Sequence, residues 1–191
     1  MVNIVNFLFE TGMLNKTPRS GYQFLGSGKE SVSEHILRTV FVGYVLCKAD
    51  ASLNELRVLK MCVFHDLPEA RTGDMNYVNK KYVDVDEDKA VRELTGNLPF
   101  GSDIKALIDE FNKKETKEAL IARDADQIAL ILQLKECGDL GNKYSDEWIN
   151  FAMQRLSTEV GKKLAQIVIK TDSSNWWFKD KSDWWVNGNK S

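Results

Sequence analysis

The chain has 191 residues, of which 43% are hydrophobic and 28% charged, and its formal net charge is −2. This length can bury a full core without disulfides, and the ordinary composition argues against both a disordered chain and a membrane protein. A nucleic-acid-binding protein needs a basic face, which the slight acidic balance does not supply.

Two further features of the sequence predict a soluble cytoplasmic protein with no membrane partner. No apolar run approaches the roughly 20 residues that a membrane span requires, and the first residues lack the basic stretch of a secretory signal. The three cysteines, Cys47, Cys62 and Cys137, form no CxxC pair and lie in apolar helical runs. We interpret them as buried reduced thiols, as expected in a reducing compartment.

Helical periodicity runs through most of the chain and is interrupted by few breakers. In chain order, the predicted helices cover residues 2–13, 32–48, 53–65, 68–71, 84–94, 103–112, 114–137, 145–156 and 157–169. A loop over residues 15–29 contains Pro18 and three glycines and is expected to run over the surface. Ser52 and Glu55 fit a capping box, and Pro68 is typical of a first helical turn.

The fold class follows from the absence of strand patterns, since no segment alternates with period two for long enough to form a sheet. The sequence therefore predicts an all-α protein with a single domain over residues 1–191 and a core at about residues 14–170. Residues 172–191 form a tail that holds four of the five tryptophans. Because the charges of the tail balance, we expect its rings to dock onto the domain or across a dimer interface.

The two histidines of the chain, His35 and His65, both lie in apolar helical runs, and Asp66 follows the second directly. Neutral imidazole is the commonest metal ligand in proteins, and a neighbouring carboxylate adds charge. In the predicted helix over residues 114–137, Asp126 shares its face with mostly small residues, whereas Asp124 lies on a bulkier face. The helical wheel favours Asp126 without deciding between the two. The pattern predicts one divalent cation, against the alternative that the histidines are hydrogen-bonded core residues.

A family resemblance is carried by SVSEH at residues 31–35, FHDLPEARTGD at residues 64–74, and DQ at residues 126–127. These segments resemble the HD-domain phosphohydrolases, and most closely their 5′-deoxynucleotidases, over about residues 14–138. The resemblance implies an all-helical, homodimeric, metal-dependent enzyme that removes phosphate from deoxyribonucleoside 5′-monophosphates. By position it implies four ligands for one cation, namely His35, His65, Asp66 and Asp126. The ligand types suit Mn²⁺, Co²⁺, Fe²⁺, Ni²⁺, Zn²⁺ or Mg²⁺ and do not select among them.

The same resemblance implies roles for three more residues, each of which has a simpler interpretation. Glu69 matches a glutamate with acid/base duty near the attacking water, although a glutamate at a helix start also favours the macrodipole. Asp74 matches a residue that holds the sugar 3′ hydroxyl, and its alternative is an ordinary turn aspartate. Arg19 falls where relatives place a phosphate-binding arginine, and its alternative is a solvated loop arginine. Ser20 stands where some relatives have a tryptophan, which leaves base recognition open.

The predicted reaction is hydrolysis of a phosphomonoester by a water molecule that the cation activates and that Glu69 or Asp66 orients. No covalent intermediate is expected, and the metal and Arg19 would stabilise the developing charge. One alternative is an HD-domain phosphohydrolase that acts on nucleoside triphosphates or alarmones. Another is a metal-binding interaction module without turnover, with the tryptophan-rich tail as its contact surface.

Overall fold

The computed structural model describes residues 1–178 and 184–188, and within them the chain is all-helical without a strand. The α-helices are α1 (Val2–Thr11), α2 (Tyr22–Leu25), α3 (Val32–Cys47), α4 (Glu55–Phe64), α5 (Glu69–Thr72), α6 (Glu87–Thr95), α7 (Gly101–Lys113), α8 (Lys117–Asp139), α9 (Ser145–Gln154), α10 (Glu159–Lys170), α11 (Asn175–Phe178) and α12 (Trp184–Asn187). Short 3₁₀ turns follow α1 and precede α6. The prediction of an all-α fold is confirmed. Across the described ranges, no helix has both the length and the apolar character needed to traverse a bilayer.

Helix α8 lies at the centre of the fold and packs against α3, α4, α7, α9 and α10. Its own buried residues are mostly alanine and isoleucine and lie on several sides of the helix, as is typical of a core helix. Where α3, α4 and α8 meet, α3 carries Gly43. A Cβ at this position would lie 2.8 Å from Sγ of Cys62 and 3.7 Å from Cβ of Ala125. The glycine therefore allows three helices to approach closely.

A second cluster of buried apolar residues joins α1, α6, α7 and the start of α3. Val32, at the first position of α3, and Leu67, directly after Asp66, both belong to it. The main cluster contains the buried face of α8 and residues of α3 and α4. The segments that carry His35 and Asp66 thus run between the two clusters, which hold them from both sides.

Helix boundaries differ from the predictions where a tertiary contact decides them. The predicted capping box of Ser52 and Glu55 is wrong, because α4 begins after Asn54, whose side chain accepts from the backbone N–H of Arg57. The backbone N–H of Asn54 in turn donates to the carboxylate of Glu118 in α8, 3.0 Å away. This long-range hydrogen bond is not visible in the local sequence.

Three further differences from the predicted helices have local causes. The predicted loop over residues 15–29 contains the short helix α2, which ends at Gly26 in the left-handed conformation. Helix α6 starts at Glu87 because Asp86 caps it, and α8 starts at Lys117 because Thr116 caps it. A capping box does occur in the chain, at Ser31 and Glu34, where it fixes the first turn of α3.

Asp124 is an anchor between helices, and its exposed fraction is 1%. Its carboxylate accepts the backbone N–H groups of Ser157 and Thr158, both at 2.8 Å, and the hydroxyl of Thr158 at 2.5 Å. Its partners thus come from the N-terminal cap of α10. A Cβ at Gly161 would overlap this carboxylate.

We expect Asp124→Asn to lower the free energy of unfolding by about 1–3 kcal/mol and to leave metal binding intact. Three donors now bind the two oxygens of the Asp124 carboxylate. The amide of asparagine has one acceptor oxygen, so at least one buried donor loses its partner. Urea denaturation measures the first effect and metal analysis of the folded variant measures the second. Loss of metal from folded Asp124→Asn protein would mean that the wrong aspartate was assigned to the metal.

The C-terminal tail begins at a hydrogen bond from the backbone N–H of Ser173 to Asp139, at the end of α8. The rings of Trp177, Phe178 and Trp185 contact one another, with centroids 5.2–5.8 Å apart. The part of the tail at residues 179–183 and 189–191 lies outside the described residues. Docking of the tail onto the domain or a second protomer stays a prediction.

Candidate metal centre

Three helices bring the predicted ligands to one place. His35 lies in the first turn of α3, whose start is fixed by its capping box. His65 is the residue that ends α4, and Asp66 follows it before α5 begins. Asp126 lies in the middle of α8. A helix end lets two adjacent side chains face the same point, which successive residues within a helix do not do.

The ligand atoms of these residues lie close together. Nε2 of His35 is 2.9 Å from Oδ1 of Asp126, and Nε2 of His65 is 3.9 Å from the same oxygen. Oδ2 of Asp66 lies 3.2 Å from Nε2 of His65 and 3.8 Å from Nε2 of His35. The ligand atoms of His35, His65 and Asp126 all lie within 4.8 Å of one another. Ligands at about 2 Å from a shared ion have this spacing.

The hydrogen bonding of His65 fits a metal ligand. Its Nδ1–H donates to the backbone carbonyl of Cys62 at 2.9 Å, which directs Nε2 into the cluster. That Nε2 atom is buried and has no hydrogen-bond partner in the described part of the chain. A buried nitrogen without a partner is costly, and a cation would satisfy it.

The electrostatics of the cluster favour positive charge. Burial disfavours the charged imidazole of His65, but the carboxylates of Asp66 and Asp126 outweigh it and raise the pKa of His65. Burial also opposes ionisation of Asp66, yet His65 and Arg19 lower the pKa of Asp66 to about 2. His35 and His65 likewise lower the pKa of Asp126 against its burial. The two carboxylates thus favour positive charge at this point, which a bound cation would supply.

Glu69 is the first residue of α5 and faces the cluster with a buried carboxyl group. Burial, with smaller effects of Asp66 and Asp74, raises the pKa of Glu69 to about 9. Its Oε2 atom has no hydrogen-bond partner among residues 1–178 and 184–188. A carboxyl group that holds a proton near neutral pH can exchange it with a reacting molecule.

Arg19 reaches the same site from the segment before α2. Its Nη1 lies 3.4 Å from Oδ2 of Asp66, and its side chain is 16% exposed, so it is not a solvated loop arginine. Burial opposes its charge, but the surrounding carboxylates, Asp66 first, raise the pKa of Arg19. The backbone N–H of Arg19 donates to the carbonyl of Glu30 at 2.9 Å, which fixes the segment. The guanidinium is placed to bind an anion beside the cluster.

Asp74 lies next to Arg19 in space through Ser20. The backbone N–H and the hydroxyl of Ser20 both donate to Oδ2 of Asp74, at 2.6 and 3.2 Å. The preceding residue, Gly73, has a φ angle of 73°, which residues other than glycine rarely adopt. The structure therefore gives Asp74 a definite partner within the chain, and contact with a sugar hydroxyl stays a prediction.

Glu30 is a site residue that the sequence analysis missed. It is buried, and its Oε2 lies 4.0 Å from Nδ1 of His35 and accepts the hydroxyl of Tyr22 at 3.3 Å. At 4.0 Å the two atoms form no hydrogen bond, and Nδ1 of His35 is buried without a partner among the described residues. In the sequence, Glu30 follows a glycine-rich loop without helical periodicity, so no pattern marks it as buried.

The chain matches the family model of the HD domain over residues 11–168. It belongs to the HD domain family. Among curated relatives of this HD domain, a 5′-deoxynucleotidase of Bos taurus is 31% identical over 147 residues, which cover 74% of this chain and 71% of the relative. A 5′-deoxynucleotidase of Schizosaccharomyces pombe is 33% identical over 145 residues, which cover 71% of this chain and 72% of that protein.

Solved structures share the HD-domain fold. A protein of Pyrococcus horikoshii gives a TM-score of 0.73 at 26% identity and covers 87% of this chain and 96% of its own. A predicted metal-dependent phosphohydrolase of Magnetospirillum magnetotacticum gives 0.70 at 21% identity, over 88% and 90% of the two chains, and supports the fold alone. The predicted family and fold are confirmed, and the predicted enzyme class agrees with the names of the curated relatives.

Proposed function

We propose that this HD domain is a metal-dependent phosphohydrolase that removes the phosphate from deoxyribonucleoside and ribonucleoside 5′-monophosphates. The observation that carries the proposal is the buried cluster of His35, His65 and Asp126, with its ligand atoms within 4.8 Å. Beside it lie a buried guanidinium and a carboxyl group that keeps its proton. The names of the two curated relatives support the choice of substrate class.

His35, His65, Asp66 and Asp126 would hold one divalent cation, whose identity among Mn²⁺, Co²⁺, Fe²⁺, Ni²⁺, Zn²⁺ and Mg²⁺ is left to measurement. The donor set of two imidazoles and two carboxylates fits such an ion. Nε2 of His65, which is buried and has no hydrogen-bond partner within residues 1–178 and 184–188, would be satisfied by it. A bound cation supplies positive charge for the phosphate oxygens and acidifies a water molecule.

The residues of the chain supply the remaining chemistry. Arg19, whose planar guanidinium suits a phosphate, would bind non-bridging oxygens and stabilise the charge that develops on them. Glu69 would give its proton to the leaving 5′ oxygen, since burial favours the protonated form of its carboxyl group. Glu30 places a carboxyl group 4.0 Å from Nδ1 of His35.

The proposal is tested by release of inorganic phosphate from a panel of nucleotides, each with several divalent metals. We expect deoxyribonucleoside 5′-monophosphates to be the best substrates and dAMP to exceed AMP by roughly ten- to hundredfold, because a 2′ hydroxyl buried without a partner is costly. Equal rates on dAMP and AMP would contradict the sugar preference. Activity confined to triphosphates or alarmones would replace the substrate class, and metal binding without any turnover would favour an interaction module. The homodimer and the cytoplasmic location stay predictions.

A further inference from the structure

An exposed pair of aromatic rings lies on the two chain segments that meet at the candidate site. Phe24 in α2 and Tyr77 in the segment after α5 have ring centroids 5.8 Å apart and an interplanar angle of 48°. They contact each other, yet Phe24 is 43% exposed and Tyr77 is 61% exposed. Their exposed surface leaves room for a third ring to stack on them.

The two chain segments that carry these rings are also the segments that carry the site. They touch at three successive levels, and each level pairs one residue before or in α2 with one residue after α4. Arg19 contacts Asp66 beside the metal ligands, at 3.4 Å. Ser20 then contacts Asp74, and the pair of Phe24 and Tyr77 follows at the surface. The first two pairs are largely buried, and the third is exposed to solvent.

The outermost level is held in place by its own contacts. The side chain of Asn76 accepts the backbone N–H groups of Val78 and Asn79, both at 3.0 Å, which forms the turn that carries Tyr77. Lys81 lies over the ring of Tyr77, with Nζ 5.5 Å from its centroid. Tyr77 is therefore presented by an ordered turn rather than by a loose loop.

We propose that Phe24 and Tyr77 form a stacking platform for the base of the nucleotide. The inference rests on the proposed function, because it takes the phosphate to lie at Arg19 and the metal ligands. A nucleoside monophosphate then meets the three levels in its own chemical order, with the phosphate innermost, the sugar beside Ser20 and Asp74, and the base at the aromatic pair. Stacking accepts every base because each has a π face, so the platform gives affinity with little base preference.

The experiment compares dAMP with 2-deoxyribose 5-phosphate, which has the same sugar and phosphate but no base, on the metal-loaded protein. We expect Phe24→Ala and Tyr77→Ala each to lower kcat/KM for dAMP by roughly 5- to 100-fold, mainly through KM. The kcat/KM for 2-deoxyribose 5-phosphate should stay unchanged. Phe24→Trp should retain the wild-type preference for dAMP, since it keeps an aromatic face. The control is Phe9→Ala, which removes an exposed ring of α1 and should change neither substrate.

Equal losses on both substrates would assign the rings a structural role and overturn the platform, as would variants with no loss on dAMP. A wild-type protein that hydrolyses no nucleoside monophosphate with any metal contradicts the proposed function instead. The platform is then decided by equilibrium binding of the same two compounds to the metal-loaded wild type and variants. Weaker binding of dAMP alone supports it, and binding that is insensitive to the rings, or absent in the wild type, overturns it.

Discussion

Asp126→Asn should remove the metal from the protein and abolish phosphate release. Oδ1 of Asp126 is the oxygen that both imidazoles approach, at 2.9 and 3.9 Å. The substitution keeps the shape of the side chain and removes its negative charge, so two buried histidines lose the carboxylate that they share. Residues that merely support a metal ligand contribute about 10–100-fold in affinity, and we expect a ligand to contribute more than about 100-fold. Metal analysis after gel filtration and phosphate release on dAMP measure the two effects.

The matched control lies two residues away in the same helix. Asp124→Asn makes the same chemical change at a buried aspartate whose partners are the cap of α10 rather than the histidines. Asp124→Asn should lose stability and keep the metal, whereas Asp126→Asn should lose the metal and stay folded. Stoichiometric metal in folded Asp126→Asn protein would exclude this aspartate as a ligand. Chelation of the wild type should abolish turnover, and addition of a divalent cation should restore it.

Glu69→Gln is expected to reduce turnover by roughly 100-fold or more while the metal content stays near that of the wild type. Glutamine keeps the size of the side chain but cannot give or take a proton. The control is Glu87→Gln, since Glu87 is also the first residue of a helix but is exposed and far from the cluster in the sequence. If Glu69 only favoured the helix dipole, the two variants would behave alike. Loss of metal from Glu69→Gln, or unchanged turnover, would contradict a role in proton transfer.

The same variant makes a pH-dependent prediction for the metal-free protein. The pKa of Glu69 is raised from 4.5 to about 9, so folding favours its neutral form. Below pH 4.5 this group is neutral in the folded and unfolded chains alike, so it does not lower the free energy of unfolding. As pH rises from 4.5 toward 9, the unfolded chain ionises Glu69 and the folded chain does not, so the folded state becomes progressively less stable. Glu69→Gln should therefore stabilise the metal-free protein by up to about 5 kcal/mol at pH 8 and by less than about 1 kcal/mol at pH 5. Thermal unfolding at the two pH values measures this, and an equal effect at both would contradict a buried neutral carboxyl group.

The sequence predicted those parts of the fold and site whose signals are local or rare. Helical periodicity gave the helices, and His35 and His65, the two histidines of the chain, fell in the motif segments that pointed to the cluster. The start of α4 was missed because Glu118, 64 residues away, binds the backbone N–H of Asn54. Glu30 was missed for the same reason, since its burial comes from its packing near Tyr22 and His35. Contacts between distant segments leave no period in the sequence.

The glycine at the crossing of α3, α4 and α8 links the bulk of one side chain to the width of the metal site. Gly43 lies eight residues after His35, about two turns along the same helix. A methyl group there would lie 2.8 Å from Sγ of Cys62, so either the side chain of Cys62 or α3 itself would have to move. A shift of α3 would be carried along the helix to His35 and would change the 2.9 Å separation between Nε2 of His35 and Oδ1 of Asp126. The spacing of the metal ligands thus depends on a glycine that is not itself a ligand.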